Sequence, residues 1–178
     1  MKNTRIVTKA LPVAFPHFGT AFASIPGAKE KFTGTILIDK NDTETINMIN
    51  AAYDSAIEAG VAKVFNGKMP AKSACRSVLK DGDESTRPEF KSKFLLSVSS
   101  INAPQVVDIN LNEINGDTIV GGDIVRVACN LVAYNVGGSK GCSVYLQNVQ
   151  LVEKTTKPFT SRIDASSDFA SKNNKDFM

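Results

Sequence analysis

The chain has no tryptophan, one histidine, three cysteines and three tyrosines among its 178 residues, and each scarcity removes a class of protein. Cys75, Cys129 and Cys142 are odd in number and nowhere spaced as Cys-x-x-Cys, which excludes a disulfide framework and a finger-type zinc site. His17 stands alone between Pro16 and Phe18, so a Ser/His/Asp or Cys/His nucleophilic site lacks a partner motif. No apolar run approaches the roughly 18 residues of a membrane helix. The opening MKNTRIVTKALPVAF has neither an apolar stretch of signal-peptide length nor a small-residue cleavage pattern. No GxxxxGK[ST] phosphate cradle occurs, since GGSKG at 137–141 has the wrong spacing and joins two strands. Strong charge of one sign is missing too: 21 Lys and Arg against 18 Asp and Glu give a formal +3, which permits a polyanionic partner without requiring one. The expectation is an intracellular, cytoplasmic protein without cofactor or metal, its cysteines acting as small buried hydrophobes.

What remains is ordinary globular composition, 42 % hydrophobic and 22 % charged, enough for one domain with a real core. TRIVTKAL at 4–11 is β-branched and strand-like up to Pro12, and Phe15, Phe18 and Phe22 follow around the breakers Pro16 and Gly19. KFTGTILI at 31–38 alternates as a half-buried strand. At Asp42, a capping residue, the period changes: Ile46, Ile49, Tyr53, Ala56 and Ile57 recur at helical spacing and predict an amphipathic helix over about residues 43–59. Residues 90–98 alternate again, with Phe90, Ser92, Phe94, Leu96 and Val98 expected inward. QVVDINL at 105–111, GGDIVRVACNLVAYN and CSVYLQNVQLV give further strands, with INGD and NVGGSKG as turns. Many short strands around one helix predict a mainly β fold, a small and mostly antiparallel barrel or sandwich. The domain is expected to span 1–155, with 156–178 a polar, flexible C-terminal tail.

Two features point to a ligand. From residue 63 to 80 the cations Lys63, Lys68, Lys72, Arg76 and Lys80 follow one another with no acidic residue between them, the last four at four-residue spacing. Such a stripe suits successive phosphates, and Phe65 offers a ring near its start; a solvated lysine-rich loop is the plainer explanation. In residues 123–134 the apolar positions alternate so regularly that Arg126, Asn130 and Tyr134 must face outward, as Lys91 and Lys93 do on their own strand and Tyr145 on the last. Cations and rings on one sheet surface fit single-stranded nucleic acid, because every base has a π-face to stack. The rival readings are a metal-dependent nuclease using Asp81, Asp83 and Glu84, for which a simple D-G turn is the plainer account, and a structural or assembly module whose exposed faces grip protein.

The ordered set KFTGTILIDKND, SVLKDGDE, FLLSVSSINAPQVVD, GGDIVRVACNLVAYN and GCSVYLQNVQLV resembles the single-stranded-DNA-binding proteins of tailed phages, over nearly all of residues 4–155. That resemblance implies an OB-fold, a five-stranded antiparallel barrel with one helix and extra loops. It also implies sequence-independent coating of single strands in phage replication or recombination, without catalysis. Members of that family often end in a strongly acidic tail that recruits replication proteins. Here residues 164–178 carry only Asp164, Asp168 and Asp176 against Lys172 and Lys175, so a partner role for the tail has weak support in its charge.

Overall fold

The alternating segments form strands around a single helix in the computed structural model, which describes residues 3–159. In chain order the elements are β1 (Arg5–Val7), β2 (Leu11–Phe22), β3 (Lys31–Asp39), α1 (Thr43–Gly60), β4 (Cys75–Arg76), β5 (Leu79–Asp81), β6 (Lys93–Ser100), β7 (Gln105–Val107), β8 (Ile124–Val136) and β9 (Ser139–Glu153). The pairings β2–β3, β3–β6, β6–β9, β9–β8 and β8–β2 close a ring of five strands. Four of its seams are antiparallel; the fifth, β6 to β9, is parallel and holds by the pair Ser99 and Tyr145. The short strands β1, β4, β5 and β7 extend the sheet from β8, β9, β6 and β9.

The ring closes because one face of each strand is apolar. Val13, Ile36, Ile38, Leu96, Val98, Val125, Val127, Leu131 and Val149 fill its interior, and each fully buried side chain of this size contributes about 1.5–3 kcal/mol. Helix α1 starts where expected, its Asp42 carboxylate accepting the Thr45 amide at 3.3 Å. It sets Ile49, Ala52, Ala56 and Ile57 onto the core, packing mainly against β8. The buried thiols of Cys129 and Cys142 are pushed up to about 12 by burial, which leaves both protonated and inert; Cys75 is half-buried. Long alternation survives in β9 only through bulges. Opposite β8 the register slips between Ala128 and Cys129, leaving Gln147 as an extra residue, so the inward set changes from Val144 and Leu146 to Val149.

Several expectations change: TRIVTKAL is not one strand ending at Pro12, since β1 stops at Val7 and β2 runs from Leu11 through Pro12, and QVVDINL keeps only Gln105–Val107 as strand. Phe90 and Ser92 are not strand residues: Phe90 closes a 3₁₀ turn (Pro88–Phe90) on the outer side of the sheet, and Ser92 has a left-handed φ of 60°, so β6 starts at Lys93. The chain is also anchored beyond 155. Buried Asp123 accepts from the amides of Val120 and Thr155 and from Lys154 Nζ, and the Phe159 amide donates to Gly121 O at 2.8 Å. Burial raises the Asp123 carboxyl's pKa, but these donors outweigh it and hold the group below the usual carboxylate range. The rest of the expected tail, with Asp164, Asp168 and Asp176, lies outside the described residues.

Candidate nucleic-acid interface

The outer face of β2, β3 and β6 carries a groove built by irregularities in β2. Opposite β3 the register passes from Ala14–Thr35 to His17–Thr33, so Phe15 and Pro16 together face the single residue Gly34. This bulge re-aims the side chains, with Phe15 at φ 50°. Phe18 turns inward, 1 % exposed, beneath Gly34; a Cβ at residue 34 would stand 2.6 Å from its ring, so only glycine lets the two strands close over it. Phe15 and Phe22 turn outward, 46 % and 47 % exposed. A second register shift before Phe22 lets its ring stack on His17, centroids 4.2 Å apart and planes within 7°.

Between these rings and β6 the groove encloses about 620 Å³. Its floor is the hydroxyl pairs Thr33–Ser99 and Thr35–Ser97, short side chains that leave room above the sheet. Lys29 and Lys31, both exposed, stand at its rim. At one end an outer apolar cluster of Ala14, Leu37 and Phe90, packed by Leu95 and Phe159, supports Phe15 edge-on. The Arg87 guanidinium lies 4.4 Å from the Phe15 centroid.

The register extends the floor around the ring. Thr33 pairs with Ser99, Ser99 with Tyr145, Tyr145 with Asn130 and Asn130 with Arg5; each is on the outer side, forming one row across five strands. Tyr145 is 47 % exposed, and Asn130 accepts from Thr4 Oγ1. Thus Tyr145 and Asn130 lie beside the groove. Arg126 and Tyr134 share their face, but each lies four residues along β8 from Asn130, about 13 Å to either side. Arg126 donates through Nε to Thr8 O at 3.0 Å. Tyr134 is half-buried over Gly141, near the point where the Tyr53 hydroxyl donates to Arg76 O.

The basic stripe does not form one face. Lys68 lies in a loop, Lys72 opens a 3₁₀ turn (Lys72–Ala74), Arg76 lies on β4 beside β9, and Lys80 on β5 beside β6, so four-residue spacing has no constant direction. All four are exposed, and Lys72 makes only a loose pair with Asp54 at 3.9 Å. Lys80, opposite Leu95, shares the outer face of β6 with the groove. Lys93 is there too, bound to Asp39 at 3.1 Å, while Lys91 is exposed just before β6. Phe65 requires a correction: the turn after α1 folds it into the core at 5 % exposure, where no base can reach it.

Two of the three carboxylates of the DGDE segment, those of Asp81 and Asp83, are engaged in the fold. Lys40 Nζ binds Asp81 and Asp83 at 2.6 Å each, Asp81 also accepts the Asp83 amide, and Asp83 the Ser92 amide. The Lys40 ammonium and these amides hold both carboxyls below their ordinary range. Among the described residues no group of three His, Cys, Asp or Glu side chains is placed to hold a metal ion.

A five-strand ring bearing a cross-strand groove of rings, hydroxyls and cations defines an OB-fold-like protein. A family model described as "Enterobacter phage Enc34, ssDNA-binding protein" matches residues 4–178, and the chain belongs to that family. Among solved structures it is similar to the single-stranded DNA-binding protein from bacteriophage Enc34 in complex with ssDNA, at 21 % identity and a TM-score of 0.70, covering 88 % of this chain and 90 % of that one. It is also similar to gp2.5, a single-stranded DNA-binding protein encoded by bacteriophage T7, at 15 % identity and a TM-score of 0.64, covering 95 % and 96 %. No curated protein sequence matches it.

Proposed function

We propose that this protein binds single-stranded DNA without sequence preference, by stacking bases in the β2–β3–β6 groove and pairing phosphates with the lysines around it. The observation that carries the reading is the meeting of the stacked His17 and Phe22 rings with Lys29 and Lys31 over a hydroxyl floor. Stacking on an aromatic side chain contributes about 1–3 kcal/mol per base whatever the base, and the cations add a salt-dependent term. The row through Ser99, Tyr145 and Asn130 gives the strand a path across β6, β9 and β8. Lys80, Lys91 and Lys93, and more remotely Lys68, Lys72, Arg76 and Arg126, supply positive potential along it. Tyr134 sits apart from this path and has the smaller role.

The biological reading is coating of single strands in phage replication or recombination, in the host cytoplasm, by a binder rather than an enzyme. Among the described residues no helix is long and apolar enough to cross a membrane. Titration of fluorescent oligo(dT) tests the proposal. Binding should exceed that to duplex of equal length and weaken with log salt at about 0.7 per phosphate contact. Equal affinity for duplex, or Mg²⁺-dependent cleavage abolished by Asp83→Ala, would overturn it.

A further inference from the structure

The three rings along the groove differ in what lies on their faces: His17 and Phe22 stack on each other, whereas Phe15 carries a guanidinium. Its guanidinium cover, Arg87, lies 4.4 Å from the Phe15 centroid and 5.9 Å from that of Phe90. Arg87 Nη1 is also held by Glu89 Oε1 at 2.7 Å. Glu89 is 15 % exposed at its side chain; burial raises its pKa, but its own backbone amide and Arg87 more than reverse that, so the pair is ionised at neutral pH. Arg87 retains 37 % exposure and thus has an open side from which an anion can approach. Phe15 itself is at φ 50° in the β2 bulge, a conformation that costs a bulky residue energy.

We propose that Arg87 and Glu89 form a gate over Phe15: a DNA phosphate takes Glu89's place on Arg87, drawing the guanidinium off the ring and freeing that face for a base. This rests on the groove being the single-strand site. One anion exchanges for another on a planar, bidentate cation, so the event converts a phosphate contact into a new stacking platform.

The test is a double-mutant cycle on the full chain, reading affinity for oligo(dT) and its salt slope. Glu89→Gln removes the competing carboxylate and should tighten binding about 3- to 10-fold at low salt. Arg87→Gln should flatten the salt slope by about 0.7, one phosphate contact. In the Arg87→Gln background, Glu89→Gln should then have no further effect on affinity. A gain that persists without Arg87 would mean that Glu89 acts only as a general negative charge, and the gate would be refuted; so would unchanged or weaker binding by Glu89→Gln in a chain with wild-type melting temperature. Arg87→Lys, which keeps the charge and loses the flat fork, should preserve the slope yet fall short of wild-type affinity; recovery of full affinity would equally overturn the gate. Phe22→Ala separates the two ideas: if it leaves binding intact the groove itself is wrong, whereas if it weakens binding and Glu89→Gln does nothing, the gate alone is wrong.

Discussion

Replacing Phe22 by alanine isolates stacking from charge and from folding. The Phe22 ring is half exposed and packs on His17 rather than the core, so its loss should change stability by no more than about 0.5 kcal/mol, or roughly 1–2 °C in Tm for a chain of this size. Its removal takes away one base platform, worth about 1–3 kcal/mol. His17 remains as a smaller ring, so the loss should fall in the lower part of that range, about 1–2 kcal/mol. At about 1.4 kcal/mol per tenfold, affinity for oligo(dT) should drop roughly 5- to 30-fold. Because no charge is removed, the slope of log K against log salt between about 50 and 200 mM should be unchanged. Fluorescence anisotropy across that range reads both quantities. Tyr134→Ala, on the same outer face but nearer the β8–β9 turn, is the control and should cost much less. If Tyr134→Ala weakens binding more than Phe22→Ala does, the strand runs over the β4 end and the groove assignment is refuted.

Charge, packing and pH give further expectations. Lys72→Ala together with Arg76→Ala should flatten the salt slope by at most about 1.4 and leave affinity at high salt nearly unchanged, measured in the same titration. Gly34→Ala forces a methyl against Phe18 and should cost about 1–3 kcal/mol by overpacking, seen as a Tm drop of several degrees with the groove floor disturbed. Asp123→Asn keeps the shape but weakens the tie to Lys154, at about 1–3 kcal/mol at neutral pH. The Asp123 carboxyl's pKa is depressed in the folded protein, so its stabilisation is full above the unfolded value near 4 and disappears as pH falls through the lower folded value. The wild-type and Asp123→Asn melting curves should therefore converge below about pH 4; a gap that stays constant into acid would contradict the assignment.

Elements whose signals are local were legible in the sequence. Asp42 and the spacing of Ile46, Ile49, Tyr53, Ala56 and Ile57 specify α1, and strict alternation specifies β8, because cap and period act within one element. The groove wall was not. Pro16 and Gly19 look like breakers, yet β2 runs through both because the bulge accommodates a residue without an amide hydrogen. Phe15, His17 and Phe22 consequently follow no single period. The spacing of Lys68, Lys72, Arg76 and Lys80 was visible but misleading, since a regular interval marks a face only where the backbone is regular. Phe65 was misplaced for the related reason that α1 ends at Gly60 and the chain folds back beneath it. The row from Thr33 to Asn130 is a matter of register between distant strands, which no local pattern encodes.

The seam that shuts the ring joins opposite ends of the chain: Leu11 and Pro12 meet Val125 and Ile124, and β1 lies along Cys129 on β8. The three groove strands, by contrast, are complete by Ser100. During synthesis at about 5–20 residues per second, β2, β3 and β6 emerge several seconds before the strands that curve them into a closed wall. Until β8 arrives, the inner faces of Val13, Ile36 and Leu96 have no cover and β2 presents an unpaired edge, so chains interrupted within β8 should aggregate. Folding of the whole should be slow, in the millisecond-to-second range of non-local β topologies, with ring closure as its late step.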